Sequence, residues 1–195
     1  MSIKQTNAGN NITEIGSFIT LAKEIDPLFG FKLLNGAELN VSGTSAGYTV
    51  AATYEMTPSG GTYNGDANFL VTVSGGAVTK ITVVGGSAVE SASLVGETVV
   101  FDEATLQASF GGGTGSATGT VAAADETEVT EVALGGNPNN GMGLYVGTGG
   151  EVQVKLKGMS SFISFKNVPN GEFLPILAIA IKKVSGGATD LVAFI

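Results

Sequence analysis

Four side chains are missing from this chain of 195 residues: cysteine, histidine, tryptophan and arginine. Without cysteine there is no disulfide framework, no thiol nucleophile and no thiolate metal site, and the redox compartment goes unmarked. Without histidine the usual acid–base group near neutral pH is gone, along with the commonest zinc ligand. Without arginine there is no bidentate clamp for phosphate, and all nine basic residues are lysines. Proline is scarce, at five residues. The longest apolar run, residues 173–181, is too short to span a bilayer, which predicts no membrane partner. Met1-Ser2-Ile3-Lys4 leads into polar residues, so synthesis in the cytoplasm without a cleavable signal is expected.

What is present is glycine, 30 residues of it without a three-residue period, and a net charge of −8. That charge argues against a nucleic-acid partner, because affinity for a polyanion comes mostly from neutralising phosphates. The charges are also segregated. Residues 81–154 hold nine acids and no base, whereas five of the nine lysines fall within residues 155–183. Either both sets are solvated surface, or a basic end faces an acidic surface on another copy or partner.

Hydrophobic patterning predicts an all-β chain: antiparallel sandwich- or barrel-like modules with glycine-rich hairpins, and one short N-terminal helix as a candidate element. Four divisions follow. Residues 1–35 form an arm and docking segment, 36–124 a Gly/Thr-rich β domain, 125–141 an acidic and Gly/Asn linker, and 142–195 a C-terminal β module. In the arm, apolar residues at 12, 15, 18, 19, 21, 22 and 25 fit a helical stripe, with a short strand at 17–22 as the competing reading. Asp26-Pro27 ends it.

The clearest hairpin covers residues 68–84. A three-residue Ser74-Gly75-Gly76 loop puts Phe69, Val71 and Val73 opposite Ile81, Thr79 and Ala77. A two-residue loop puts Val71 opposite Lys80. The first is expected, with Gly76 in the left-handed region. Further strands are expected at 49–55, 97–101, 106–110 and 116–122, with a flexible loop at 111–115. In the last module Val152, Val154 and Leu156 share one strand face, Ile163 and Phe165 another, and Val168-Pro169-Asn170-Gly171 is a turn.

No motif carries chemistry. Gly136 and Gly141 have phosphate-loop spacing, but Met142-Gly143 follows them instead of Lys and Ser or Thr. Gly147-Thr148-Gly149-Gly150 reads as a β-turn. Asp125, Glu126, Glu128 and Glu131 match no calcium loop and read as solvated linker. Asp102 and Glu103, as strand neighbours, point to opposite faces, which disfavours a glycosidase pair. Ser164 and Lys166 are a chance pairing. The sequons at Asn11 and Asn40 need a secretory route to matter. The expectation is a non-enzyme, with no catalytic, cofactor-binding or metal-ligating residue.

Two stretches resemble known proteins. Leu144-Tyr145-Val146-Gly147, Gly149-Gly150-Glu151-Val152, Phe165-Lys166-Asn167-Val168-Pro169-Asn170-Gly171, Leu174-Pro175 and Ala188-Thr189-Asp190-Leu191-Val192-Ala193 together resemble a small β module of tailed-phage virions and gene-transfer-agent particles. It occurs there in head spike-base and capsid-decoration proteins. In this chain the strand after Leu174-Pro175 is apolar where that module is more polar and basic. Gly61-Thr62-Tyr63-Asn64-Gly65, residues 71–79 and Val95-Gly96-Glu97-Thr98 resemble Gly/Thr-rich segments of marine, especially cyanobacterial, phage virion proteins.

The resemblance implies a structural protein on the capsid surface of a virion, decorating or cementing the shell through contacts with the major capsid protein and with its own copies, as a homotrimer. A tail, neck, head-fibre or spike-base position is the alternative. An adhesin binding host surface or glycan is the alternative of another class. Two apolar stretches are the expected interface: Leu28, Phe29, Phe31, Leu33 and Leu34, and then Ile176, Leu177, Ile179 and Ile181. In the second, alternation puts Leu177, Ile179 and Ile181 on one face and Ile176, Ala178 and Ala180 on the other, predicting a strand covered on both sides.

Overall fold

The computed structural model describes residues 22–85, 88–134 and 143–194. Two compact units emerge: a terminal unit of Met1–Phe29 with Thr130–Ile195, and a middle unit of Gly30–Val129. The terminal unit is therefore discontinuous in sequence, and the four expected divisions give way to two. It opens with strand β1 (Ala22–Glu24) and a 3-10 turn at Asp26–Leu28. The Leu191 N–H donates to Asp26 Oδ2 at 2.8 Å, and the Ile25 N–H to the Leu191 carbonyl at 2.8 Å. Residues 22–24 thus pair with the C-terminal strand, which overturns a helix running to Ile25. The rest of that stripe, and the arm, lie outside the described residues.

The middle unit contains β2 (Gly30–Leu33), β3 (Asn40–Gly43), β4 (Ala46–Tyr48), β5 (Thr53–Met56), β6 (Gly60–Gly61), β7 (Asn68–Ser74), β8 (Ala77–Val84), β9 (Thr98–Phe101), helix α1 (Glu103–Phe110), β10 (Gly112–Thr114), β11 (Ala117–Thr120) and β12 (Glu126–Val129). Its sheets run β5-β7-β8 and β3-β11-β9-β6, with two-stranded pairs β10-β4 and β12-β2. Among the described residues all pairings are antiparallel, and no sheet closes into a barrel. Phe69, Val71, Ile81, Val99, Phe101, Leu106 and Phe110 form the fully buried centre. The Phe69 ring lies edge-on to Tyr63 and Phe101, at centroid distances of 6.0 and 6.2 Å.

The β7–β8 hairpin corrects the expected loop. Ser74 pairs with Ala77, so the loop is the two residues Gly75 and Gly76, at φ 61° and 81°. Both sit in the left-handed region, as a two-residue type I′ turn requires. Gly76 was expected there; Gly75 was not. The poor register of a two-residue loop is repaired by a bulge at Thr79, which shifts Thr72 onto Lys80 and Val71 onto Ile81. One extra residue returns Ile81 and Val83 to the buried face shared with Val78.

Two further expectations fail in this unit. Residues 106–110 are not a strand but most of α1. Asp102 caps it, with its Oδ1 accepting from the Thr105 N–H at 2.8 Å. Leu106 and Phe110, four apart on one helix face, are both fully buried, and Gly111 ends the helix at φ 62°. The glycine run 111–115 is not a free loop, because Gly112–Thr114 pairs with β4. The Tyr48 ring lies where a Cβ on Gly113 would stand, 2.4 Å from its nearest atom, and its hydroxyl donates to the Gly115 carbonyl at 2.7 Å.

The terminal unit continues with β13 (Glu131–Ala133), β14 (Gly143–Thr148), β15 (Gly150–Leu156), β16 (Ile163–Val168), β17 (Glu172–Leu174), β18 (Ala178–Lys182) and β19 (Thr189–Phe194). These make two four-stranded sheets, β1-β19-β14-β17 and β13-β18-β15-β16. The expected linker at 125–141 is thereby corrected over 125–134. Its first part is β12, pairing with β2, and its next part is β13, pairing with β18; residues 135–141 are not described. Acidic side chains at alternate positions are compatible with a strand whose other face is apolar, and Val132 is buried between Glu131 and Ala133.

Three of the corners at which the chain crosses between the two terminal sheets are Gly149, Pro169-Asn170-Gly171, and residues 185–188. They meet. The Gly149 N–H donates to Asn170 Oδ1 at 2.7 Å, the Gly171 N–H to the Val146 carbonyl at 2.8 Å, and the Ala188 N–H to the Glu151 carbonyl at 3.0 Å. A Cβ on Gly149 would stand 2.3 Å from the Val168 carbonyl oxygen and 2.8 Å from the Asn170 nitrogen. Backbone occupies that space, so relief requires moving a corner. Gly149→Ala is expected to lower terminal-unit stability by ~1–3 kcal/mol, the usual cost of forced overpacking. Gly60→Ala, with open space around it, is the control. Urea unfolding midpoints that agree for the two variants would refute this.

Candidate interaction surfaces

The outward features of the two units differ in charge. The middle unit holds ten carboxylates against two lysines, Lys32 and Lys80, and so carries a net −8. The terminal unit holds seven of each and is neutral. The terminal unit is assembled from two separate stretches of the chain, so this partition is sharper than the run of acids along the sequence.

In the terminal unit the two sheets present unlike outer faces. On β13-β18-β15-β16, Val132, Ile181, Val154 and Ile163 align across the strands on the inner side, as do Val152 and Phe165. The alternate row is Glu131, Lys182, Gln153 and Ser164. Lys166 reaches Glu151 at 3.8 Å, and the Lys182 ammonium sits 5.9 Å from the Phe162 ring. Hydrogen bonds from Ser164 and then Gln153, helped by Lys166, hold the Glu151 carboxyl below its ordinary range. This face is polar and largely self-compensated.

The outer face of β1-β19-β14-β17 carries Tyr145, Phe173, Val192 and Phe194 instead, with the exposed Glu24 of β1 at its border opposite Val192. Tyr145 pairs with Phe173 on one side and Val192 on the other. Phe173 is 45% exposed and Tyr145 39%. The opposite face of the same strands, with Leu144, Val146, Leu191 and Ala193, is buried.

The end of the terminal unit away from its glycine corners is apolar in another way. The Lys157 N–H donates to the Leu177 carbonyl at 2.9 Å, and the Met159 N–H to that of Leu156 at 3.0 Å. These bonds bring Met159 and Leu177 to the same end of the sheet, and both are exposed, at 39% and 42%.

The nine residues expected at an interface are dispersed. Leu33 is in the middle unit's core, with half-buried Phe31 packed against it. Ile181 is fully buried within its own sheet, and Phe29 is buried as well. Leu28, Ile176 and Ile179 are half-buried. Leu34 and Leu177 are exposed, at 39% and 42%. The second stretch is also not one regular strand. β18 begins only at Ala178, and Lys155 and Leu156 of its neighbour pair with Ala180 and Ala178, so Ile179 is the extra residue of a bulge on β18 itself. An apolar run of this length was interrupted by a turn, and part of its hydrophobicity serves its own unit.

Residues read for chemistry are also placed. Asp125 is buried, and its Oδ2 accepts from the Ala122 N–H at 2.8 Å, so it forms a turn instead of lying in a solvated linker. Glu126 bonds Ser93 Oγ at 2.7 Å. Glu128 is on β12, and Glu131 is on β13 in the other unit. The four acids do not converge, and among the described residues no group of three potential metal ligands is close enough to share an ion. Asp102 and Glu103 are helix N-cap and first turn. A cleft of about 250 Å³ between Thr57 and Asn68 adjoins a smaller one of about 120 Å³ lined by Tyr63, Glu90, Leu94 and Glu97. Tyr48, beside α1, has its phenol raised by burial and then by Glu103 and Asp102.

Comparison with protein-family models, curated proteins and solved structures finds no match.

Asp102 supplies a pH test of the helix. Hydrogen bonds from Thr105, and a weaker one from Ser59, lower its carboxyl below the ordinary value. A carboxyl lowered on folding adds stability that is present above its unfolded value and lost as pH falls through the folded one. The gap in unfolding midpoint between wild type and Asp102→Ala should therefore be full at neutral pH and shrink below the ordinary carboxylate range. A gap that stays constant into strong acid would show that the charge plays no part.

Proposed function

We infer that this chain is a structural protein of a phage virion, which decorates or cements the capsid exterior. The observation that carries this reading is the partition of charge between the units. A neutral unit with exposed apolar side chains suits contact with a protein shell, because such a contact buries little uncompensated charge. A unit carrying the whole net −8 suits the solvent side, where like charge keeps neighbouring particles apart. The proposed contact is the Met159–Leu177 end of the terminal unit, with Lys157 beside it, against the major capsid protein.

The resemblance of the C-terminal stretch to spike-base and decoration modules supports the same assignment. The predominance of antiparallel sheet suits a durable component, since its backbone groups are satisfied within the fold. Own copies are the second partner, three around a capsid threefold position. The chemistry asked of such a protein is adhesion, and no residue is assigned to catalysis.

Purified protein should co-sediment with expanded, empty capsids, and the double variant Met159→Asp, Leu177→Asp should lose at least tenfold in affinity while keeping its unfolding midpoint, as expected when hot-spot side chains worth about 1.4 kcal/mol or more are replaced by charge. Unchanged sedimentation of the variant removes this contact. Counting copies per particle by mass spectrometry separates shell from tail: hundreds support decoration, whereas a dozen or fewer would move the protein to the neck, tail or a fibre.

A further inference from the structure

Asparagine is followed by glycine at three places among the described residues: Asn35-Gly36, Asn64-Gly65 and Asn170-Gly171. Such a pair has a chemistry of its own. Glycine has no side chain to hinder its amide, so that nitrogen can reach the Cγ of the asparagine before it. Whether it does so depends on what the two groups are already bonded to.

Two of the pairs are held at both ends of that reaction. Asn35 Oδ1 accepts from the Gly85 N–H at 3.0 Å, and the Gly36 N–H donates to the Val83 carbonyl at 2.8 Å. Asn170 Oδ1 accepts from the Gly149 N–H at 2.7 Å, and the Gly171 N–H donates to the carbonyls of Val146 and Gly147, at 2.8 and 3.1 Å. A donor on Oδ1 polarises Cγ, but the nitrogen that would attack it is engaged elsewhere. Both glycines stand in the left-handed region, at φ 84° and 72°, so each pair serves a turn.

Asn64-Gly65 differs in each respect. Asn64 is exposed, and neither its side chain nor the Gly65 N–H has a hydrogen-bond partner among the described residues. Gly65 does not have a positive φ. Glycine is needed there because a Cβ would overlap the hydroxyl of the buried Tyr63. Packing has thus set an unhindered amide beside an asparagine that nothing restrains. We propose that Asn64 is a site of spontaneous modification, converting to aspartate and isoaspartate in the folded protein.

The step balances with water alone. The Gly65 nitrogen gives its proton to solvent and bonds to Asn64 Cγ. The Cγ–Nδ2 bond breaks, and Nδ2 takes a proton and leaves as ammonia. One water then opens the cyclic imide. Opening at Cγ yields aspartate; opening at the main-chain carbonyl yields isoaspartate, with the chain running through Cγ. Nothing is oxidised or reduced. Either product adds one negative charge to the net −8 of the middle unit. The charge arrives where the two clefts adjoin, because Asn64 lines both, with Asp66 in one and Glu90 and Glu97 in the other. The isoaspartyl form also lengthens the main chain within the turn around Tyr63, whose hydroxyl accepts from the Ala67 N–H at 3.4 Å. None of this depends on where the protein assembles.

Full-length protein is kept at mildly alkaline pH, folded or in urea, and cleaved after glutamate in acid at successive times. Glu38, Glu55, Glu90, Glu151 and Glu172 place the three pairs on separate peptides, and mass spectrometry with fragmentation locates each gained carboxyl. In the folded protein Asn64 is expected to convert at least about tenfold faster than Asn35 and Asn170, a factor equal to ~1.4 kcal/mol of barrier and on the scale of one hydrogen bond. In urea the three rates should converge. Equal rates in the folded protein overturn the proposal. So does an Asn64 lead of the same size in urea, because local sequence and not the fold would then set it.

Discussion

The terminal unit depends on backbone meeting backbone at its corners. At Gly149 the space where a side chain would begin is filled by the Val168 carbonyl and the Pro169–Asn170 peptide. Two sheets can be stacked by apolar burial alone, but burial is non-directional and does not say where the chain turns from one to the other. Here the hydrogen bonds among the Gly149, Asn170–Gly171 and Ala188 corners fix that point. From it follow the strand registers of β14 and β15, and with them which face of each sheet is buried. The outward aromatic row on one sheet and the outward lysines on the other are consequences of that register, since a slip of one residue would exchange them with the core.

The middle unit obtains its definition differently, from large rings in one core. Phe69, Phe101, Phe110, Tyr48 and Tyr63 are held edge-on or tilted, and small residues let them approach. Glycine at 113 admits the Tyr48 ring, and glycines at 75 and 76 reverse the chain without cost. The abundance of glycine, which looks like looseness in the sequence, is spent on contact in both units.

How much of this was legible follows from the range over which each signal acts. Alternation marked β7, β8, β15 and β16 correctly, because a half-buried strand writes its period of two locally. The helix was missed although its signs were local too: Asp102 as N-cap, Leu106 and Phe110 four apart, and Gly111 after them. Leu106, Ala108 and Phe110 also alternate, and the strand period was preferred in a β-rich context. The bulge at Thr79 could not be read, because an extra residue is detected only against its partner strand. Neither could the pairing of β1 with β19, whose partners lie some 170 positions apart. Of the interface candidates, Leu34 and Leu177 are on the surface, while Leu33 and Ile181 belong to their own cores. Hydrophobicity along a chain does not distinguish a side chain that fills its own unit from one offered to another. The Tyr145–Phe173–Phe194 row was invisible for the same reason, its members lying on three strands.

The Thr79 bulge has a second effect, at the border of its sheet. β8 is an outer strand of β5-β7-β8, and such a strand ordinarily exposes a template on which another chain can grow. In this protein the far end of that border is taken by residues 36–39, with Leu39 N–H bonded to the Ile81 carbonyl and Val83 N–H to that of Ala37. The near end is taken by Tyr48 N–H on the Gly76 carbonyl and by Ser45 Oγ, which accepts from Val78. Only the bulged residues and Lys80 lie between, too short and too twisted a length to recruit a strand. The β8 border is thereby closed to sheet extension.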